Sequence, residues 1–219
     1  MIQAVIFDMD GVVIDSEPLY QEAEERLFRE YGVTIPAEDW NILRGGTEEH
    51  FYQVAQERYG IAEPLDALQV KGRQYVMSVF SKKLDFHHGF QEIISTLQEH
   101  FRLGLVTSTA RDLFQWIDDK LGISRYFPEV ITAGMTANSK PHPEPYLEMM
   151  RRLEVSPTQT AVVEDSITGI QSALAAGAWT IALTGSISLE DLPSTHRVIH
   201  SLKELSPEFF ENLTSAPQS

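Results

Sequence analysis

The sequence predicts an α/β fold: a Rossmann-like parallel sheet flanked by helices, with a helical-bundle cap domain inserted into it. Three observations predict this. From about residue 90 to residue 199, short apolar stretches alternate with stretches of helical periodicity, the pattern of successive βα units. One further apolar stretch, residues 4–7, stands alone near the start. Between residues 19 and 83 only helical patterns occur, broken by short loops. The first strand therefore pairs with the later ones, and the helical block is an excursion from the sheet. The expected division is an α/β core from residues 1–15 and 87–219, with a cap from 16–86.

The elements follow in order. Residues 4–7 are apolar throughout, as a strand buried on both faces requires. Asp15 and Ser16 are cap types and Pro18 suits a first helical turn, so a helix runs on through Leu19, Ala23, Leu27, Phe28 and Tyr31 until Gly32. Phe51, Val54, Ala55 and Tyr59 share a second helical face, and Leu68, Tyr75, Val76, Val79 and Phe80 a third. Residues 86–89, Phe-His-His-Gly, form the return linker. Helices are expected over 91–100, 112–121, 144–153 and 167–176, and strands over 103–107, 129–132, 161–163, 179–183 and 198–199. The tail from Thr214 to Ser219 is expected to be disordered.

Composition narrows the function. The chain has 219 residues, and its 42% hydrophobic content is enough for a sizeable core. A net charge of −15 repels nucleic acid and anionic membranes, so neither is expected as a partner. With no cysteine there is neither a disulfide framework nor thiolate chemistry. The first residues do not make a signal peptide, and no apolar run nears the ~20 residues of a membrane span, so a cytoplasmic protein is expected. The net charge, with no apolar stripe left over, makes a monomer the expectation.

The chemistry is read from the strand ends, where open α/β sheets bind ligands. After the first strand come Asp8, Asp10 and Gly11; after the second, Thr107, Ser108 and Thr109; past the third, Ser139-Lys140-Pro141; after the fourth, Glu164 and Asp165. Carboxylates crowded at one edge repel each other, and a hard cation such as Mg²⁺ relieves the repulsion while leaving room for phosphate oxygens. Asp8 and Asp10, two apart on extended chain, can face one substrate. Unequal pKa values would let one attack and the other transfer protons. A plain Asp-Gly turn explains the first cluster alone but none of the others. Ser108 or Thr109 could simply cap the following helix, and residues 164–166 could cap theirs.

The stretches "DMDGVVIDSE", "LVTSTAR", "SKPHPEPY" and "VVEDSITGIQSALAAG" resemble, in order and spacing, the four motifs of the haloacid dehalogenase-like phosphohydrolases. The helical insertion resembles the cap of the β-phosphoglucomutase-like and sugar-phosphatase branch. The resemblance implies a Mg²⁺-dependent phosphatase acting on a small-molecule phosphate ester, with Asp8 as nucleophile and Asp10 as general acid and base. It implies that Thr107 binds a phosphoryl oxygen and that Lys140 neutralises charge beside Asp8. Asp8, Asp165 and the main-chain oxygen of Asp10 would hold the metal, with Glu164 as ligand or holder of its waters. Ser108, Arg111 and Glu17 are candidate substrate contacts, as are Arg44 and Thr47 in "LRGGTEEH", the loop resembling one that closes over the site. Arg111 could equally pair with Asp112, and Trp40 and Tyr20 divide between core and substrate wall. A phosphomutase is the first alternative, although acids at Glu48 and Glu49 stand where that branch carries basic charge. A non-catalytic phosphometabolite binder is the second, disfavoured because each motif residue is present.

Overall fold

Ala4–Phe7 form β1, and all four residues are buried. Parity splits them between two faces. Ala4 and Ile6 join Val106, Ile131, Tyr146, Met149 and Val162 in one buried cluster. Phe7 packs on the other face against Phe90 and Phe127, with ring centroids 6.4 and 5.8 Å away. A strand sandwiched in this way must be apolar along its whole length. The computed structural model describes residues 1–40, 48–185, 190 and 192–213.

β1 is central in a six-stranded sheet. The other strands are β2 (Arg102–Ala110), β3 (Glu129–Ala133), β4 (Thr160–Glu164), β5 (Trp179–Leu183) and β6 (Arg197–Ile199). The order is β3-β2-β1-β4-β5-β6, and each pairing is parallel. The chain reverses its direction of travel across the sheet at β1, so β1 and its neighbours β2 and β4 define the topological switch point. Register sets Phe7 beside Leu105 on one side and Val163 on the other. The residues that follow these strands therefore emerge at one edge.

Helices cover both faces. They are α4 (Phe90–His100), α5 (Arg111–Leu121), α6 (Glu144–Arg152), α7 (Ile167–Ala175) and the short α8 (Pro207–Glu211), the last without a counterpart in the sequence reading. Before them come α1 (Glu17–Glu30), α2 (Glu48–Tyr59) and α3 (Leu65–Lys83). The chain divides into two compact units, residues 1–14 with 86–219, and residues 15–85. The second is purely helical among its described residues, with its own core of Leu27, Phe28, Trp40, Phe51, Tyr52, Ala55 and Leu68. Trp40 is thus a core residue, while half-buried Tyr20 packs edge-on against Phe80 at 4.9 Å.

Several expected boundaries move. β2 reaches Ala110, three residues past its expected end, because a register shift against β3 between Val106 and Ala110 lets the threonines stay extended. The proposed cap role for Ser108 or Thr109 is wrong. The N-cap of α5 is Ala110, with no side-chain bond. Ser16 does stand at the N-cap of α1, yet makes no capping side-chain bond either. Thr214–Ser219, expected to be disordered, lie outside the described residues. Among the described residues no helix is long and apolar enough to cross a membrane.

Candidate active site

Asp8 directly follows β1, and its N–H extends the ladder by donating to the Val163 carbonyl at 3.0 Å. Its parity is that of Ile6, so it belongs to the face of the sheet that α6 and α7 cover. The chain then turns sharply. The N–H groups of Val13 and Ile14 donate to the Met9 carbonyl at 2.9 and 3.0 Å, and Gly11 donates to the Ile14 carbonyl at 2.9 Å. Gly11 has φ +73°, and a Cβ there would lie 1.9 Å from Asp165 Oδ2. The glycine therefore serves both the turn and the approach of a carboxylate.

Lys140 reaches this face from the loop before α6, and its side chain is only 5% exposed. Its ammonium donates to Asp8 Oδ1 at 2.5 Å, Glu164 Oε1 at 2.6 Å and the Val106 carbonyl at 3.2 Å. Three acceptors meet three donors. The loop itself is tied down on both sides. Glu144 accepts from the N–H groups of Ala137 and Asn138, both at 2.9 Å. Ser172 donates to the His142 carbonyl at 2.6 Å.

Glu164, the last residue of β4, is fully buried. Its Oε1 accepts from Lys140 and from the Tyr146 hydroxyl, each at 2.6 Å. Its Oε2 accepts from the Asp165 and Ser166 N–H groups and the Ser166 hydroxyl, at 3.0–3.2 Å. Ser166 is also the N-cap of α7, accepting from the Gly169 N–H. Gly169 supplies the space, since a Cβ there would fall 1.7 Å from Glu164 Oε1.

Asp10 is joined from β2. Thr109 donates to its Oδ2 at 2.7 Å and Thr107 at 3.3 Å, and Thr107 accepts from the Thr109 N–H at 3.0 Å. Thr107 and Thr109 are buried, whereas the intervening Ser108 is exposed, as strand alternation requires.

The structure thus brings Asp8, Asp10, Thr107, Lys140, Glu164 and Asp165 to one edge of the sheet. Ser108 and Arg111 are exposed, and neither enters the hydrogen-bonded cluster described above. Glu17 opens α1 in the helical unit. Arg44 and Thr47 lie outside the described residues. The sequence reading missed Tyr146 and Gly169 as members of this site, and it set Gly11 and Thr109 in the strand-end clusters without giving either a role in the chemistry. Thr109 carried a usable signal, being two residues from Thr107 on the same strand face. Tyr146 closes the "SKPHPEPY" stretch and, on pattern alone, reads as helix core.

Among the described residues, four carboxylates (Asp8, Asp10, Glu164, Asp165) stand at this edge, and the Lys140 ammonium bonds two of them, Asp8 and Glu164. Burial drives the Asp8 carboxyl well above its ordinary value; Lys140 opposes this, while Glu164 and Asp10 push the same way as burial. Burial would lower Lys140, but Asp8 and Glu164 outweigh it and hold the lysine above its ordinary value, so it stays a cation. Burial, then Glu164, raises the Tyr146 phenol, which stays a donor. Oxygens of Asp8, Glu164 and Asp165 lie within 4.8 Å of one another, and all three residues are buried. An all-oxygen set with excess negative charge fits a hard divalent cation.

Residues 5–183 match the family described as haloacid dehalogenase-like hydrolase. A phosphorylated carbohydrates phosphatase of Thermotoga maritima is 33% identical over 178 residues, covering 80% of this chain and 82% of its own. A validoxylamine A 7'-phosphate phosphatase of Streptomyces hygroscopicus subsp. limoneus is 30% identical, covering 94% and 96% respectively. In shape, the chain resembles a crystal structure of a HAD hydrolase, family IA, variant 3, from Entamoeba histolytica, with a TM-score of 0.86 over 97% of this chain and 99% of that one. At 22% identity, that likeness speaks for the fold alone. The chain belongs to the haloacid dehalogenase-like hydrolases. Within them it is a phosphatase, a phosphoric monoester hydrolase.

Proposed function

We propose that the protein hydrolyses a small phosphorylated metabolite, a sugar phosphate above all, in a Mg²⁺-dependent reaction through an aspartyl phosphate on Asp8. The observation that carries this reading is the buried Asp8 carboxylate, held by Lys140 at 2.5 Å among further carboxylates. A buried acid fixed in this way is preorganised for attack. The relatives named as phosphatases of phosphorylated carbohydrates and of validoxylamine A 7'-phosphate support the choice of substrate class.

In this reading a carboxylate oxygen of Asp8 bonds to phosphorus as the ester P–O bond breaks, and Asp10 gives its proton to the departing alkoxide. Water then attacks the aspartyl phosphate, Asp10 takes the proton, and inorganic phosphate leaves with Asp8 restored. Lys140 balances the charge on Asp8 and on the phosphoryl oxygens. Thr107 and Thr109 orient Asp10. Asp8, Asp165 and the main-chain oxygen of Asp10 would hold Mg²⁺, which when bound offsets the excess of carboxylates and the charge of the phosphoryl group. The helical unit, with Glu17 and the segment bearing Arg44 and Thr47, would act as the cap that chooses the leaving group.

The test is phosphate release from p-nitrophenyl phosphate and a panel of sugar phosphates, with and without MgCl₂. Asp8→Asn should lower the Mg²⁺-dependent rate by about a thousandfold or more. An Asp8→Asn variant that works as fast as the parent sinks the reading, as does a parent inert toward the whole panel. Conversion of glucose 1-phosphate to 6-phosphate without net phosphate release would replace hydrolysis by mutase chemistry.

A further inference from the structure

We infer that Tyr146 is a positioning residue for the reaction: its hydroxyl, through Glu164, fixes Lys140 against Asp8. This rests on the hydrolase reading above and extends it to a side chain outside the reacting groups.

Tyr146 lies in the first turn of α6 and is fully buried. Its ring sits in the apolar cluster with Ile6, Val106, Ile131 and Val162. For packing alone a phenylalanine would serve, and a buried hydroxyl is costly unless it is hydrogen-bonded. Here the bond exists, 2.6 Å to Glu164 Oε1. The same oxygen accepts from Lys140 at 2.6 Å, and the ammonium stands 5.1 Å from the centre of the Tyr146 ring. Tyr146 therefore meets the lysine twice, through the shared carboxylate oxygen and through its π-face.

The other end of Glu164 is anchored. Its Oε2 is held by Ser166 and the Asp165 N–H at the start of α7. Gly169 leaves no Cβ to push it away. Without the tyrosine hydroxyl, Oε1 keeps Lys140 as its one donor in this cluster, and the carboxylate can turn toward the cation. Lys140 would then be drawn from Asp8 by a few tenths of an ångström. Charge stabilisation of phosphoryl transfer depends on placement at that scale.

The experiment uses the full chain and Tyr146→Phe. kcat and KM are measured toward p-nitrophenyl phosphate at saturating MgCl₂, Mg²⁺ affinity by calorimetry, and the unfolding midpoint by scanning calorimetry. We expect kcat to fall about tenfold, with KM and the Mg²⁺ Kd each within about twofold of the parent. A kcat within about twofold of the parent would overturn the inference, as would a Mg²⁺ Kd weakened by the same factor as kcat/KM. Should the variant fail to fold, ¹⁵N-lysine NMR of the parent decides. A slowly exchanging Lys140 ammonium with Overhauser contacts to the Tyr146 ring is expected, and its absence would overturn the proposal. A parent with no turnover at all would strike the phosphatase reading instead, leaving the ammonium signal to judge the Tyr146–Lys140 geometry separately.

Discussion

Each of the two units admits a buried polar side-chain tip beside a helical glycine, but what surrounds the tip differs. In the α/β unit, Gly169 makes room for the Glu164 carboxylate, which accepts five hydrogen bonds, one of them an ion pair to a 5%-exposed lysine. In the helical unit, Gly72 on α3 makes room for Tyr52, where a Cβ would lie 1.6 Å from the hydroxyl oxygen. Tyr52 packs edge-on to Phe51 at 4.9 Å. Charged pairs of that unit lie elsewhere and put their cations toward solvent: in Arg58–Asp39, Lys71–Glu63, Arg73–Glu48 and Lys83–Glu22 the cationic side chains are 38–53% exposed, although Asp39 itself is buried. One unit concentrates charge where water is scarce, at a cost in stability that suits chemistry. The other keeps the cationic ends of its pairs where water screens them.

The largest effect should come from breaking the buried side of this contrast. Gly169→Ala raises helix propensity by about 1 kcal/mol. Against that, its Cβ would overlap Glu164 Oε1, Cδ and Oε2 at 1.7, 2.0 and 2.2 Å. Backing Glu164 out unpairs a buried charge network, a loss of about 3–5 kcal/mol. The expected outcome is a destabilised protein whose phosphatase rate falls by about a hundredfold or more, because Lys140 loses one of its two carboxylate partners. Denaturant unfolding and steady-state kinetics check both parts. A stabilised, fully active variant would mean that Glu164 is not the fixed post described here.

Gly72→Ala is the matched probe on the other side and should do less. The same gain of about 1 kcal/mol in propensity opposes an overlap with the tip of a packed tyrosine, a strain of about 1–3 kcal/mol. Net destabilisation of about 1 kcal/mol is expected, with kcat toward p-nitrophenyl phosphate within about twofold of the parent. Comparable losses of rate in the two glycine variants would erase the distinction between the units.

Much of this was legible in the sequence because the signals were local. The β5 strand at 179–183 and the apolar run 4–7 have the bounds that pattern alone assigns. The acidic clusters fall at strand ends because the fold class sends ligands there. Illegible were features set by a distant partner. Ser108 and Thr109 fall past the strand end that pattern assigns at Thr107, yet β2 runs on through them to Ala110, with a register shift against β3. Gly11 and Gly169 matter because of Asp165 and Glu164, residues that only the fold sets beside them. Tyr146 has the helical spacing of an ordinary core residue, and only the position of its hydroxyl separates it from one. Pro207–Glu211 is too short for periodicity to announce a helix.

The smallest expected effect concerns pH, and there the two units should respond with opposite sign. Arg58, then Tyr59, hold Asp39 below its ordinary value; Lys71, then Tyr31, do so for Glu63. A carboxyl depressed in the fold contributes stability that is present above its unfolded value near 4 and lost as pH falls through the folded one. For Asp8, raised by burial, the folded protein binds the extra proton, so without metal its contribution declines as pH rises from about 4 toward the folded value. Asp39→Asn should therefore flatten the acid-side loss of the unfolding midpoint, by a few degrees at most, because Arg58 is 46% exposed and screened. Asp8→Asn in metal-free protein should instead raise the midpoint at neutral pH and leave it little changed near pH 4. Midpoints followed from pH 3 to 8 in chelator test the pair. If both variants shift the same limb of the profile, burial is not what separates the two sets of charges.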